Sequence, residues 1–167
     1  YNREVCMHEI AIKITINDEI IEKDIKANVL LIDFLRDELN LTGSHIGCDT
    51  SQCGACMILH NDKAIKACSI LVAQLNGEKI TTIENLQKDG VLHPMQEAFR
   101  NNHGLQCGFC TPGMIISGIS LVKQNDKPNE DNIRKHLEGN LCRCTGYQNI
   151  VKSIEEGAIK MRESGDI

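Results

Sequence analysis

The stretch Gly47-Cys-Asp-Thr-Ser-Gln-Cys-Gly-Ala-Cys56 places three cysteines at the spacing C-x4-C-x2-C. A fourth, Cys68, follows with eleven residues between it and Cys56. Three side chains on one short loop can wrap a metal pair while the fourth arrives from a neighbouring strand. Gly47 and Gly54 stand beside these cysteines, where a larger side chain would collide with whatever the thiols hold. Glycine also gives the loop the positive φ angles that such wrapping needs. Successive N–H groups along the loop can then point at sulfur and form an anion nest.

This spacing is that of a plant-type [2Fe–2S] site. Structural zinc sites usually come as two C-x2-C pairs, and the Cys48/Cys53/Cys56/Cys68 set fits that pattern poorly. A second set comprises Cys107-x2-Cys110 and Cys142-x-Cys144, with 31 residues between the pairs. Two thiolates as close as those of C-x-C can serve one iron. Spacing alone leaves zinc open for this set. Cys6 is left over and reads as a free thiol.

Outward from the first loop, the chain divides near residue 85. Before it the pattern is strand-like. Residues 8–16 alternate, with Ile10, Ile12, Ile14 and Ile16 on one face. Asn17-Asp18 makes a tight turn and Glu19–Ile25 returns. Asn28 is the expected cap of a helix over 29–39. Strands are expected at 56–60, 64–70 and 79–83, with a turn at Asn61-Asp62. After residue 85 the pattern is helical. Pro94 opens a helix to about 101. Thr111-Pro112 caps and opens another to about 124. A third is expected over 130–137, ending at Gly139, and a fourth over 147–161. Both pairs of the second cysteine set fall at helix boundaries, so two loops at one end of a bundle can converge. Gly104, Gly108, Gly139 and Gly146 are expected to leave room beside them. The fold class is α+β: a small sheet with one helix on its face, followed by a four-helix bundle.

Composition narrows the function. The chain of 167 residues has aromatics at 3% and no Trp, so its core rests on aliphatic side chains. Net charge is −5 and no basic run appears, which argues against nucleic acid. No apolar stretch approaches the roughly 20 residues of a membrane span. Tyr1 to Ile10 has no apolar core of a secretory signal, and Met7 is a candidate start. A cytoplasmic setting is therefore expected, where clustered cysteines bind metal or do redox work rather than pair as disulfides. The six histidines are scattered, and eight well-spaced cysteines leave no vacancy for a Rieske pair. No nucleophile triad, phosphate loop or carboxylate pair is present, so no catalytic residue is expected here. A two-zinc structural module and a free-standing ferredoxin remain the competing classes.

The runs Gly43-Ser-His-Ile-Gly-Cys-Asp49 and Gln52-Cys-Gly-Ala-Cys56 resemble the first cluster loop of molybdenum hydroxylase small subunits. Gly104-Leu-Gln-Cys-Gly-Phe-Cys-Thr-Pro-Gly-Met114 and Gly139-Asn-Leu-Cys-Arg-Cys-Thr-Gly-Tyr147 resemble its second cluster loops. The likeness covers about residues 8–160. That family includes xanthine dehydrogenase, aldehyde oxidoreductase, nicotinate dehydrogenase and aerobic carbon monoxide dehydrogenase. Ile46-Gly-Cys-Asp-Thr50 and Gly146-Tyr-Gln-Asn-Ile150 look most like the carbon monoxide dehydrogenase small subunit.

The resemblance implies a β-grasp, plant-type ferredoxin-like domain over 8–84 and a helical [2Fe–2S] domain over 85–163. It implies two [2Fe–2S] clusters, one on Cys48, Cys53, Cys56 and Cys68 and the other on Cys107, Cys110, Cys142 and Cys144. It also implies a large molybdenum–pterin subunit and a medium FAD subunit, assembled as a dimer of heterotrimers. The Cys107/Cys110/Cys142/Cys144 cluster is then proximal to molybdenum, and the other lies between it and FAD. Gln106 matches a residue that hydrogen-bonds the pterin, and Cys144 lies in a loop approaching the same cofactor. An exposed apolar patch near Gln106 and Met114 is the expected docking face. The function implied is electron transfer from molybdenum through both clusters to FAD.

Overall fold

The computed structural model describes residues 9–167; Cys6, Met7 and the first residue of the expected 8–16 strand lie outside the described residues. A five-stranded mixed sheet and five helices make up a mixed α/β arrangement. Strands β1 (Glu9–Ile16) and β2 (Glu19–Lys26) pair antiparallel, with Ile14 opposite Ile21. Asn17 and Asp18 take positive φ angles of 52° and 69°, as the tight turn between them requires. Strand β3 (Met57–His60) pairs antiparallel with β4 (Lys63–Lys66) across the turn at Asn61-Asp62. Strand β5 (Lys79–Thr81) lies between the two hairpins, parallel to β1 and antiparallel to β3. The sheet order is β2-β1-β5-β3-β4.

Helix α1 (Leu31–Asp33) continues as a wider π-type turn over Phe34–Glu38. It starts later than Asn28 predicts, and Asn28 does not cap it. The reason is long-range: Leu30 bridges Leu71, Leu31 N donates to Ile70 O, and Val72 N donates to Val29 O. Those bonds hold residues 29–30 extended. Ile12, Ile14, Ile16, Ile58 and Ile80 of the sheet pack on Leu31, Phe34 and Leu35, all buried. The expected 64–70 strand also stops early. After Lys66 the chain tightens into a 3-10 turn over Ala67–Ser69 that carries Cys68, with Ala67 N bonded back to Cys56 O.

The helical part follows: α2 (Pro94–Asn101), α3 (Thr111–Gln124), α4 (Glu130–His136) and α5 (Gln148–Ser164). Helix α3 is buried over Gly113–Val122, ten consecutive residues, so it is the axis around which the rest packs. Its N-cap position is Cys110 rather than Thr111, whose hydroxyl is buried without a partner among the described residues. Met95, Phe99, Met114, Ile116, Ile133, Ile154 and Met161 form the second apolar cluster, and Leu59 of β3 joins it.

Two close approaches lock the loops onto this frame. A Cβ on Gly113 would sit 2.2 Å from Gly54 O, so only glycine lets α3 meet the first cysteine loop there. Gly54 itself has φ +71°, and a Cβ on it would meet Gly139 O at 2.4 Å. Between them lies Asn140, 2% exposed. Its Nδ2 donates to Gly54 O and Gly113 O, both at 3.3 Å, and its Oδ1 accepts from Ser117 Oγ at 3.0 Å.

Removing this amide takes a hydrogen bond from each of two carbonyls, of which Gly54 O keeps Met57 N at 3.3 Å, and strips Ser117 Oγ of its Asn140 acceptor. We expect Asn140→Ala to destabilise the chain by about 1–3 kcal/mol, read from the denaturation midpoint. Asn140→Asp, which turns a charge toward the same carbonyls, is expected to cost more. An Ala variant as stable as the parent would show that water or relaxation satisfies the site.

A pH dependence follows from two histidines. His93 Nδ1 accepts from Met95 N at the start of α2, a bond that needs an unprotonated nitrogen. Burial lowers the pKa of His93, helped by nearby Lys123 and opposed by Asp166. Burial lowers that of His136 too, against a hydrogen bond that its ring donates to the Ser117 backbone carbonyl. An unfolded His takes up a proton near pH 6.5 and these folded ones only lower, so below about 6.5 the unfolded state holds more protons. Stability is therefore fully present above that value and lost as pH falls through the folded pKa values. His93→Asn, which keeps a side-chain acceptor at the cap, is expected to flatten the acid limb of a midpoint-against-pH curve. An unaltered limb would remove His93 from the account.

Candidate metal centres

The first cysteine loop is anchored at both ends. Arg36, on the π-type turn, donates to Thr42 O and Ser44 O, both at 2.7 Å. Lys66 Nζ, at the end of β4, donates to Ser51 O at 2.7 Å and to Gln52 O at 3.3 Å. Between these anchors the N–H groups turn inward as the glycine-rich sequence predicts. Cys53 N lies 3.4 Å from Cys48 Sγ. The Cys53, Thr50 and Gln52 amides together pull the Cys48 thiol down to about 6. Burial pushes Cys53 up, against hydrogen bonds from the Ala55 and Gly47 amides, and pushes Cys56, 2% exposed, up to about 11. Cys68 reaches the set from its 3-10 turn, with Sγ 3.5 Å from Ser51 Oγ. A Cβ on Gly47 would come within 3.1 Å of Cys53 Sγ, so glycine keeps the space beside that sulfur open.

The second set forms where the α2–α3 and α4–α5 connections meet. Cys107 and Cys144 are exposed, with their sulfurs 3.4 Å apart. Cys110 and Cys142 are partly buried neighbours, and burial drives Cys110 up to about 12. Cys142 Sγ lies 3.2 Å from Thr145 Oγ1. The Tyr147 hydroxyl closes this loop: it accepts from Cys142 N at 2.8 Å and donates to Asn140 O at 3.1 Å. Gly104 plays a different part from the one expected. A Cβ there would strike Ser153 Oγ and Phe99, so it serves the packing of α5 against α2.

The thiols are neighbours two by two: Cys48 with Cys53, Cys56 with Cys68, Cys107 with Cys144, and Cys110 with Cys142. Among the described residues, no three His, Cys, Asp or Glu side chains close around a point suited to one ion. A [2Fe–2S] rhomb takes its thiolates in pairs, two on each of two irons. A cleft of about 260 Å³ takes in Cys53 of the first set and Cys107, Cys110 and Cys144 of the second, with Phe109 and Leu141 on its walls. Leu141 N donates to Cys53 O at 2.8 Å across it.

Gln106 is exposed beside Cys107, and Cys144 is exposed on the same set. The apolar surface differs from the expected one. Met114 is fully buried in the helical core; the exposed apolar side chains here are Ile46, Leu105, Phe109 and Leu141. Sequence reading missed Asn140, Tyr147, His45 and Arg36, because each acts on a loop through a contact distant in the chain or through a backbone carbonyl. Among the described residues, no helix is long and apolar enough to cross a membrane.

Residues 82–155 match the family described as [2Fe-2S] binding domain. Caffeine dehydrogenase subunit gamma of Pseudomonas sp. (strain CBB1) is 45% identical over 147 residues, covering 86% of this chain and 88% of that one. The nicotine 6-hydroxylase small subunit of Paenarthrobacter nicotinovorans is 46% identical over 130 residues, 78% of either chain. The crystal structure of quinoline 2-oxidoreductase from Pseudomonas putida 86 superposes with a TM-score of 0.90 at 36% identity, covering 95% of this chain and 99% of that one. The chain belongs to the small iron–sulfur, electron-transferring subunits of molybdenum hydroxylase-type dehydrogenases, oxidoreductases whose substrate chemistry takes place on partner subunits.

Proposed function

We propose that this subunit holds two [2Fe–2S] clusters, one on Cys48, Cys53, Cys56 and Cys68 and the other on Cys107, Cys110, Cys142 and Cys144. It would carry electrons from a molybdenum–pterin subunit to an FAD subunit. The observation that carries the reading is one cleft at which Cys53 of the first paired set meets Cys107, Cys110 and Cys144 of the second. The two apolar clusters support a β-grasp, ferredoxin-like domain over 8–84 followed by a four-helix domain over 85–163.

When bound, a [2Fe–2S] cluster takes up and releases one electron at a time. The chain's own residues do the rest. They supply eight thiols, which must lose their protons to bind iron. Cys48 is the readiest, because three amides already stabilise its anion. Amide and hydroxyl donors on Cys48 and Cys142 draw charge off the sulfurs, and burial of Cys56 keeps water away; both would tune reduction potential.

The exposed thiols Cys107 and Cys144, ringed by Leu105, Phe109 and Leu141, form the face we assign to the molybdenum subunit, with Gln106 and Cys144 against its pterin. FAD would lie beyond the first cluster, and the whole assembly would be a dimer of heterotrimers. Free thiols suit a reducing compartment, and we place the complex in the cytoplasm. For the substrate, relatives and structural neighbours are named for caffeine, nicotine and quinoline and also for aldehydes, so a nitrogen heterocycle or an aldehyde is better supported than carbon monoxide.

Metal analysis of the purified complex is expected to give about four irons for each copy of this chain, two per cluster. Cys110→Ser is expected to remove one of two distinct reduced-state paramagnetic signals and keep the other. Zinc in place of iron would sink the proposal. Loss of both signals together would show that the ligands are paired wrongly.

A further inference from the structure

A contact between the two cysteine loops has no part in holding metal. His45 stands three residues before Cys48, and its main-chain N donates to Ala55 O at 3.1 Å, which fixes it to the first loop. Its ring leaves that loop. Nδ1 lies 2.7 Å from Phe109 O, so this nitrogen carries the hydrogen and donates. The ring also stacks on Phe109, with centroids 4.7 Å apart and planes 22° apart. Phe109 sits between Cys107 and Cys110 in the chain. Its own ring reaches back: a Cβ on Gly47 would touch both Phe109 Cε1 and Cys53 Sγ at 3.1 Å. One histidine thus grips the Cys107–Cys110 loop by a backbone carbonyl and a ring face, beside the first set's Cys53.

The contact is placed for positioning rather than for folding. Phe109 is 48% exposed and His45 is half-buried, so neither belongs to an apolar core. The frame is held elsewhere, by Asn140 and its glycine neighbours. The second loop pair already has its own tie to the first site, Leu141 N to Cys53 O. The Cys107–Cys110 side gains its tie through His45.

We propose that His45 is a positioning residue that clamps the Cys107–Cys110 loop to the Cys48–Cys56 loop and so sets the separation and relative orientation of the two cluster sites. The inference rests on the ligand assignment proposed above. Electron exchange between centres falls steeply with distance, so a group that holds two such sites in register acts on the rate without touching either metal.

The test uses the assembled complex with His45→Ala, His45→Asn and His45→Phe. Asn keeps a donor at the position of Nδ1; Phe keeps the stack and loses the donor. Three quantities are read: iron per chain, the separate signal of each reduced cluster, and the spin–spin interaction between them. We expect His45→Ala to keep its iron and both signals while the interaction shifts or disappears, and His45→Asn to restore it. His45→Phe is expected to fall between the two. An unchanged interaction in His45→Ala overturns the clamp. So does loss of iron from that variant, which would make His45 part of cluster assembly. A wild-type complex whose clusters show no interaction overturns it as well. Wild-type protein with fewer than two irons per site instead brings down the ligand assignment itself, and the clamp with it.

Discussion

The structure depends on one buried amide. A metal site made of loops is only as well defined as the attachment of those loops, and here Asn140 attaches them. Its two N–H groups reach two backbone carbonyls: Gly54 O on the first cysteine loop, which also accepts from Met57 N at 3.3 Å, and Gly113 O in the first turn of α3. Its carbonyl answers Ser117 one turn further along α3. The donors and acceptor of one side chain therefore fix three segments that lie up to 86 positions apart. Glycine at 54 and 113 is the other half of the same device, since a side chain at either would push the segments apart by collision with a carbonyl. Buried polar groups of this kind stabilise modestly when satisfied and cost heavily when they are not, so the arrangement favours one geometry over near alternatives.

Much of this was legible in the sequence, for local reasons. The alternation of Ile10 to Ile16, the paired turn residues Asn17-Asp18 and Asn61-Asp62, and the helix opened at Pro112 all report on neighbours in the chain. So does the C-x4-C-x2-C spacing, because one short loop bears three of the cysteines. What could not be read depended on distant partners. Asn28 is a good cap by type, yet residues 29–30 are drawn into extended pairing with 70–72 before a helix can begin. The strand expected to run to 70 is bent at Ala67, since Cys68 must turn toward a loop that precedes it. Met114 read as surface because it follows an exposed motif, but α3 is apolar all round and is enclosed on every side.

The thiols show how a uniform residue type acquires unequal chemistry. Cys48 sits in a cradle of amides that favours its anion, whereas Cys56 and Cys110 are pressed toward the neutral form by burial. Neither set is therefore poised to hold four anions. On the proposed ligand sets, the negative charge that four thiolates bring to one site would be balanced only when metal arrives. A fold that tolerated four buried thiolates without metal would need cations around them, and Lys66 and Arg36 spend their charge on loop carbonyls instead.

The two sites also differ in how they face the solvent, and this gives the molecule a direction. Cys56 of the first set is packed into the sheet core, while Cys107 and Cys144 of the second lie open beneath exposed Phe109 and Leu141. A protein that only stored electrons would gain by enclosing both sites, since exposure costs protection from water and oxidant. A protein that passes them on must leave some sulfur near its surface and accept that cost where a partner can cover it. The cleft that joins Cys53 to Cys107, Cys110 and Cys144 brings the first set, anchored by buried Cys56, against the more open second one within a single small chain.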